Sequence, residues 1–218
     1  MTRDVFHAQL EEMNNQLLQM GQQVQQAIAA AIQALTDRDV AAAEWVIAGD
    51  QQINAAHAAV ESICLELLVL QQPVAIDARR ITSVLKVITD LERMGDHAVN
   101  IARAVVRMGG APLIKPLEDI PAMARLAQSM VADAVDAFIT GNRARALAMT
   151  EKDNELDRVH RRVIDHLVEL MARDSSTVPQ GVQLLFVSHS LERIGDHATN
   201  LGEWLIYVLT GKRTELNH

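Results

Sequence analysis

Leu91-Glu92-Arg93-Met94-Gly95-Asp96-His97-Ala98-Val99-Asn100 returns one hundred residues later as Leu191-Glu192-Arg193-Ile194-Gly195-Asp196-His197-Ala198-Thr199-Asn200. A period that long marks two copies of a domain-sized unit, not a solenoid of short repeats. Packing alone would repeat the apolar positions. Here Glu, Arg, Asp, His and Asn repeat as well, which points to a site used twice. The likeness extends upstream, where Asp50-Gln51-Gln52-Ile53-Asn54-Ala55-Ala56-His57 aligns with Asp153-Asn154-Glu155-Leu156-Asp157-Arg158-Val159-His160. The offset there is 103, so three residues are gained or lost in the connection that follows, where length changes are tolerated.

Around these motifs apolar residues recur every three or four positions, and strand-like alternation is scarce. Aromatics make up 3% of 218 residues and there are only 10 Gly and 5 Pro, the balance of a helical bundle. The pattern predicts an all-α fold of six long helices. The first spans about 4–35, the second runs to 72 where Pro73 stops it, and the third spans about 76–108. The others span about 117–139, 143–173 and 179–209, with Gly-, Asn-, Asp- and Pro-bearing breaks between them. Gly109-Gly110-Ala111-Pro112 is the clearest linker. The chain therefore divides into two tandem, sequence-related three-helix bundles, 1–109 and 117–211, joined by 110–116.

A net charge of −8 and a pI near 5.4 argue against a nucleic-acid backbone as partner and suit cation binding. One cysteine, Cys64, excludes an internal disulfide, and its setting between Ile63 and Leu65 reads as a buried structural thiol. No stretch of signal-peptide length opens the chain, and no run of about 18 apolar residues is evident. These features predict a cytoplasmic protein that meets a membrane only through partner proteins. Walker loops, dinucleotide fingerprints, cysteine clusters and nucleophile motifs are all missing.

The chemistry lies in the spacing. Residues i and i+4 share a helix face, so Glu92, Asp96 and Asn100 form one row and Glu192, Asp196 and Asn200 another. Asp153, Asp157 and His160 form a third, with Asp50, Asn54 and His57 as its weaker equivalent. In antiparallel neighbours, residues equidistant from the turn face each other. Asp153 facing Asp196 and Asp157 facing Glu192 centre the turn at Asp174-Ser175. Asp50 facing Asp96 and Asn54 facing Glu92 centre it at Pro73. Both are expected turns, so two independently found motifs meet in each half. Facing acids on two helices repel unless a multivalent cation, protons or solvent intervene, and carboxylates at helical spacing are how bundles hold iron, manganese or zinc. The expected metal-binding residues are Asp50, Asn54, Glu92 and Asp96 in one half, and Asp153, Asp157, Glu192 and Asp196 in the other. His57 and His160 are possible additional ligands. His97 and His197 point about 100° from the acid beside them, and His189, whose counterpart is Thr89, is set aside. Gly95 and Gly195 inside helices suggest close helix approach beside the site. Two other readings compete: a di-iron carboxylate oxidoreductase, and a metal-free scaffold whose acidic faces Arg93 and Arg193 compensate.

The doubled Leu-Glu-Arg-x-Gly-Asp motif with its companions at 50–54 and 153–157 resembles the PhoU family of phosphate-response regulators. Phe6 to Gly21, Gln72-Pro73 with Asp77, and Asp174 to Pro179 add to the likeness, which spans nearly the whole chain. The resemblance implies a twofold repeat of three-helix bundles with iron or zinc clusters on the acidic motifs. It also implies a non-enzymatic accessory role, linking the ATPase of a phosphate ABC transporter to a sensor histidine kinase. Such proteins keep the phosphate-starvation response silent when phosphate is ample, and a homodimer is expected. Asn54 in place of an acid weakens the first site.

Overall fold

The structure, a computed structural model, describes residues 3–216. Six α-helices follow one another: α1 Arg3–Asp37, α2 Val40–Gln71, α3 Ala75–Met108, α4 Asp119–Thr140, α5 Arg143–Arg173 and α6 Val178–Thr210. A 3₁₀ turn at Ser175–Thr177 leads into α6. Every expected helix is present, and the boundaries move by only a few residues.

Local chemistry sets the ends. Asp39 caps α2 by accepting from the Ala42 amide at 2.9 Å, and Asn142 caps α5 by accepting from Arg145 at 3.1 Å. Gly109, Gly141 and Gly211 close α3, α4 and α6 in the left-handed conformation, with φ of 64°, 71° and 72°. Gln72 closes α2 in the same conformation at φ 46°, a position more costly for a side-chain-bearing residue, just before Pro73.

Each half is an up-down-up bundle, and the halves pack into one body. The core is a file of fully buried side chains including Leu17, Met20, Ile28 and Leu35 of α1, Ile88, Leu91 and Met94 of α3, and Met123 and Met130 of α4. Burying each such side chain contributes roughly 1.5–3 kcal/mol. α1 packs on α4, where Gly21 lies against Val135. α3 packs on α6 in antiparallel sense: Arg79 near the start of α3 donates to Val208 O at 3.2 Å near the end of α6. Gln180 near the start of α6 reaches Pro112 O and the Ile114 amide just past the end of α3. Half-buried Arg80 ties the halves again, donating to Ile139 O at 2.9 Å and to Asn14 at 3.3 Å.

Cys64 is fully buried with its Sγ 3.7 Å from Met13 Sδ, and burial pushes its thiol up to about 12. The structural reading of that cysteine holds. The sequence has no unbroken apolar run of about 18 residues, yet α2 is long and apolar enough, by length and composition, to cross a membrane. Its alanines and aliphatics are interrupted by acids, which hid the segment from a search for unbroken runs. Only 22% of its most apolar window is buried.

The two motif glycines sit against the preceding helix of their own half. A Cβ on Gly195 would collide with the Leu156 side chain and meet Asp153 Oδ1 at 3.4 Å. One on Gly95 would meet Ile53 Cδ1 at 3.0 Å and Asp50 Oδ1 at 3.5 Å. Alanine gains about 1 kcal/mol of helix propensity over glycine, whereas overpacking costs about 1–3 kcal/mol. Gly195→Ala is therefore expected to lower the urea midpoint and Gly95→Ala to leave it nearly unchanged; equal effects would contradict the asymmetry in packing.

Candidate metal centre

The seam between α5 and α6 is built by two helix faces. Asp153 and Asp157 sit one turn apart on α5, Glu192 and Asp196 one turn apart on α6, and Gly195 lets the helices close between them. The four carboxylates sense one another. Burial first, then the charges of Asp196 and Asp157, push Asp153 up to about 6, with the neighbouring Thr199 hydroxyl opposing. Burial first, then Asp196, pushes Glu192 up to about 7, with Asp157 and Asp153 adding and Arg193 opposing. Asp196 is raised by burial and by Asp157, against the pull of Arg193. Asp153 feels the charge of Asp196, and Glu192 that of Asp157, across the seam.

Two oxygens in this cluster are buried without a hydrogen-bond partner, Asp153 Oδ1 and Glu192 Oε2. Arg193 Nη1 lies 2.5 Å from Asp196 Oδ2, so the arginine expected to compensate the row does compensate one member. A single guanidinium against four carboxylates leaves the cluster short of positive charge. Hard multivalent cations take such oxygen-rich sets, so the residues of the second half fit a metal ion by donor chemistry. As the side chains stand, no three of the described His, Cys, Asp or Glu residues converge on one ion position. Loading would therefore involve side-chain rotation.

The histidines separate. His189, set aside because its counterpart is Thr89, places Nδ1 3.4 Å from Glu192 Oε2; its position three residues before Glu192 was the available signal. His160 instead bonds Ser188 through Nδ1 at 2.7 Å, and burial with neighbouring His189 lowers its pKa. His197 turns away from the carboxylates to Asp90 of α3, at 2.9 Å from Nδ1 to Oδ1. Asp90 also accepts from Asn200 at 3.1 Å and Trp204 at 3.3 Å. Asp90 was not singled out from the sequence, because its counterpart is Ser190 and the repeat conceals it. His97 lies 5.8 Å from His197, ring to ring, and its Nδ1 is buried without a partner. Burial, then the charges of His197, Arg193, His189 and Arg93, pull His97 down to about 4.

The first-half seam differs. Asp50 lies beside Gly95, as its counterpart Asp153 lies beside Gly195. However, Asn54 donates to Asp50 Oδ2 at 2.9 Å, so the amide consumes one carboxylate oxygen. Asn54 and Asp96 are exposed, and Glu92, Asp50 and His57 are partly so. None of the described carboxylate oxygens there is buried and unpartnered. The di-iron reading calls for carboxylates and Glu-x-x-His pairs from four helices, whereas this seam joins two.

The acids at the second seam and His97 act on stability in opposite senses. An acid whose pKa is raised on folding stabilises below its unfolded value, and that contribution is lost as pH rises through the folded value. Asp153 and Glu192 therefore cost stability as pH climbs from about 4 to about 7. His97, lowered to about 4, stabilises above its unfolded value and loses that contribution as pH falls from 6.5. In chelator-treated protein, Asp153→Asn with Glu192→Gln should be more stable than the parent at pH 7.5, by about 1–3 kcal/mol, and close to it at pH 4.5. Parallel stability–pH curves for the two proteins would contradict mutual repulsion.

The PhoU domain family matches the chain twice, over residues 17–105 and 120–205. A phosphate-specific transport system accessory protein PhoU homolog of Clostridium acetobutylicum is 38% identical over 218 residues, covering all of both chains. Its counterpart in Streptococcus pneumoniae serotype 4 is 34% identical, covering 99% of this chain and 100% of that one. Among solved structures, the phosphate transport system regulatory protein PhoU from Streptococcus pneumoniae superposes with a TM-score of 0.89 at 33% identity, covering 96% and 99%. PhoU from Pseudomonas aeruginosa gives 0.89 at 33%, covering 95% and 100%.

Proposed function

The chain belongs to the PhoU family, accessory proteins of phosphate transport, and from that premise we propose that it is a cytoplasmic, non-enzymatic negative regulator of the phosphate-starvation response. Its partners in this reading are the ATPase subunit of a phosphate ABC transporter and a sensor histidine kinase, which it bridges as a homodimer. The relatives it matches over their full length carry the accessory role in their names, and that supports the reading most directly. The repeats act as units 1–109 and 117–211 joined by 110–116.

The second seam is the regulatory metal site in this account. Asp153, Asp157, Glu192 and Asp196 hold the ion, and His189 is close enough to Glu192 to assist. A bound iron, zinc or manganese ion would supply the positive charge that Arg193 alone does not. Asp50, Asn54, Glu92 and Asp96 form a weaker equivalent, since Asn54 already engages Asp50. What supports the difference is the pair of buried carboxylate oxygens that accept no hydrogen bond, found in one seam only among the described residues.

Deleting the gene is expected to raise alkaline phosphatase expression and phosphate accumulation in phosphate-rich medium; unchanged values would rule out negative regulation. Elemental analysis of protein purified without chelator tests the site separately. Metal retained by the parent should be lost in Glu192→Ala, Asp196→Ala and largely kept in Glu92→Ala, Asp96→Ala. Equal retention by both variants would remove the second seam from consideration.

A further inference from the structure

The negative charge of this protein is not spread over it. Residues 1–72 hold nine of the 28 acids but only two of the 20 cations, Arg3 and Arg38, which gives −7 of the net −8. α2 has no Lys or Arg at all, whereas α5, its counterpart in the repeat, has seven. The same helix is the most apolar of the six and exposes several large apolar side chains. Trp45 is 79% exposed, Val69 69%, Leu70 52% and Leu65 51%. Soluble helices ordinarily keep charge of both signs on the side facing water.

Beside Trp45 the uncovered surface becomes concave. A groove of about 420 Å³ runs between α1 and α2, floored by Ala27, Ala30, Ala42, Val46 and Ile53. Trp45 forms its rim, and glutamines at 23, 26 and 52 supply the only polar lining. Small side chains on the floor admit a helix closely, and an aromatic rim beside an apolar slot is the pattern of helix-in-groove recognition. Acids at Glu44, Glu61 and Glu66 lie along the exposed side of α2 with no cation of that helix to neutralise them.

We propose that this α1–α2 face docks an amphipathic helix of a partner protein whose apolar stripe is flanked by Lys or Arg. Charge selects that occupant. A second copy docking by the same face would set one net-acidic segment against another, and an anionic lipid surface would be repelled. A basic helix satisfies both the apolar groove and the acids of α2, which no cation of that helix neutralises. The inference deepens the accessory-protein reading by giving it a docking face, and it is separate from the second-half metal site, since the groove lies between α1 and α2 and that seam between α5 and α6.

The test uses the full chain carrying Trp204→Phe, which leaves Trp45 as the sole tryptophan reporter. An 18-residue Leu/Lys amphipathic peptide is titrated while Trp45 emission is followed. A saturable blue shift is expected, weakening as salt rises, with no response to the matching Leu/Glu peptide. Ala30→Arg, at an exposed helix position that tolerates the change, should weaken binding about tenfold or more, and Glu44→Lys should weaken it with a shallower salt dependence. Absence of a shift, equal affinity for Ala30→Arg, or an equal response to Leu/Glu would overturn the proposal. So would sedimentation showing that Trp45 is already covered by a second copy, or a shift produced only by phosphatidylglycerol vesicles. Peptide binding together with unchanged phosphate accumulation on gene deletion would keep the docking face and discard the regulatory reading.

Discussion

The antiparallel packing of α3 on α6 is the contact on which the rest of the molecule depends. It sets the two copies of the repeated motif back to back, with His97 and His197 5.8 Å apart between them. The carboxylates on those helices then face outward, those of α3 toward α2 and those of α6 toward α5. Asp90 fastens the crossing from one side only, holding His197, Asn200 and Trp204 of the opposite helix. Its counterpart, Ser190, leaves His97 Nδ1 without a partner, so the crossing is not symmetric even though the fold nearly is.

Asymmetry recurs outward from there. A single amide, Asn54, hydrogen-bonds the acid one turn before it on α2, where the second seam has two acids at the same spacing and keeps their repulsion. Further out, α5 carries charges of both signs while α2 has no Lys or Arg and exposes several large apolar side chains. Duplication supplied two equivalent bundles. The two copies now differ: one has the more acidic seam, and the other has the more apolar exposed helix.

Much of this is legible in the sequence for identifiable reasons. Helices of 22 to 35 residues with strong stops at Pro73, Gly109, Gly141 and Gly211 leave little ambiguity in period or length. The pairing of Asp153 and Asp157 with Asp196 and Glu192 follows from turn position alone, because antiparallel helices fix the register. Contacts between the halves were not legible: Asp90 to His197 joins residues 107 apart on helices whose relative placement no local pattern encodes. His189 was passed over because repetition was the criterion, and a residue used in one copy fails that criterion. The exposed face of α2 was missed because its acids break up the apolar run.

The central claim is that Asp153, Glu192 and their neighbours are held together against their own repulsion until a cation relieves it. Titration calorimetry with Mn²⁺ at pH 6.5, in two buffers of different ionisation enthalpy, measures this directly. Asp153 and Glu192 are raised to about 6 and about 7, so each carries part of a proton at that pH. Binding should therefore release about one proton, and Asp153→Asn with Glu192→Gln should abolish both the binding and the release. Metal binding with no proton release, or release that persists in the double variant, would contradict the account.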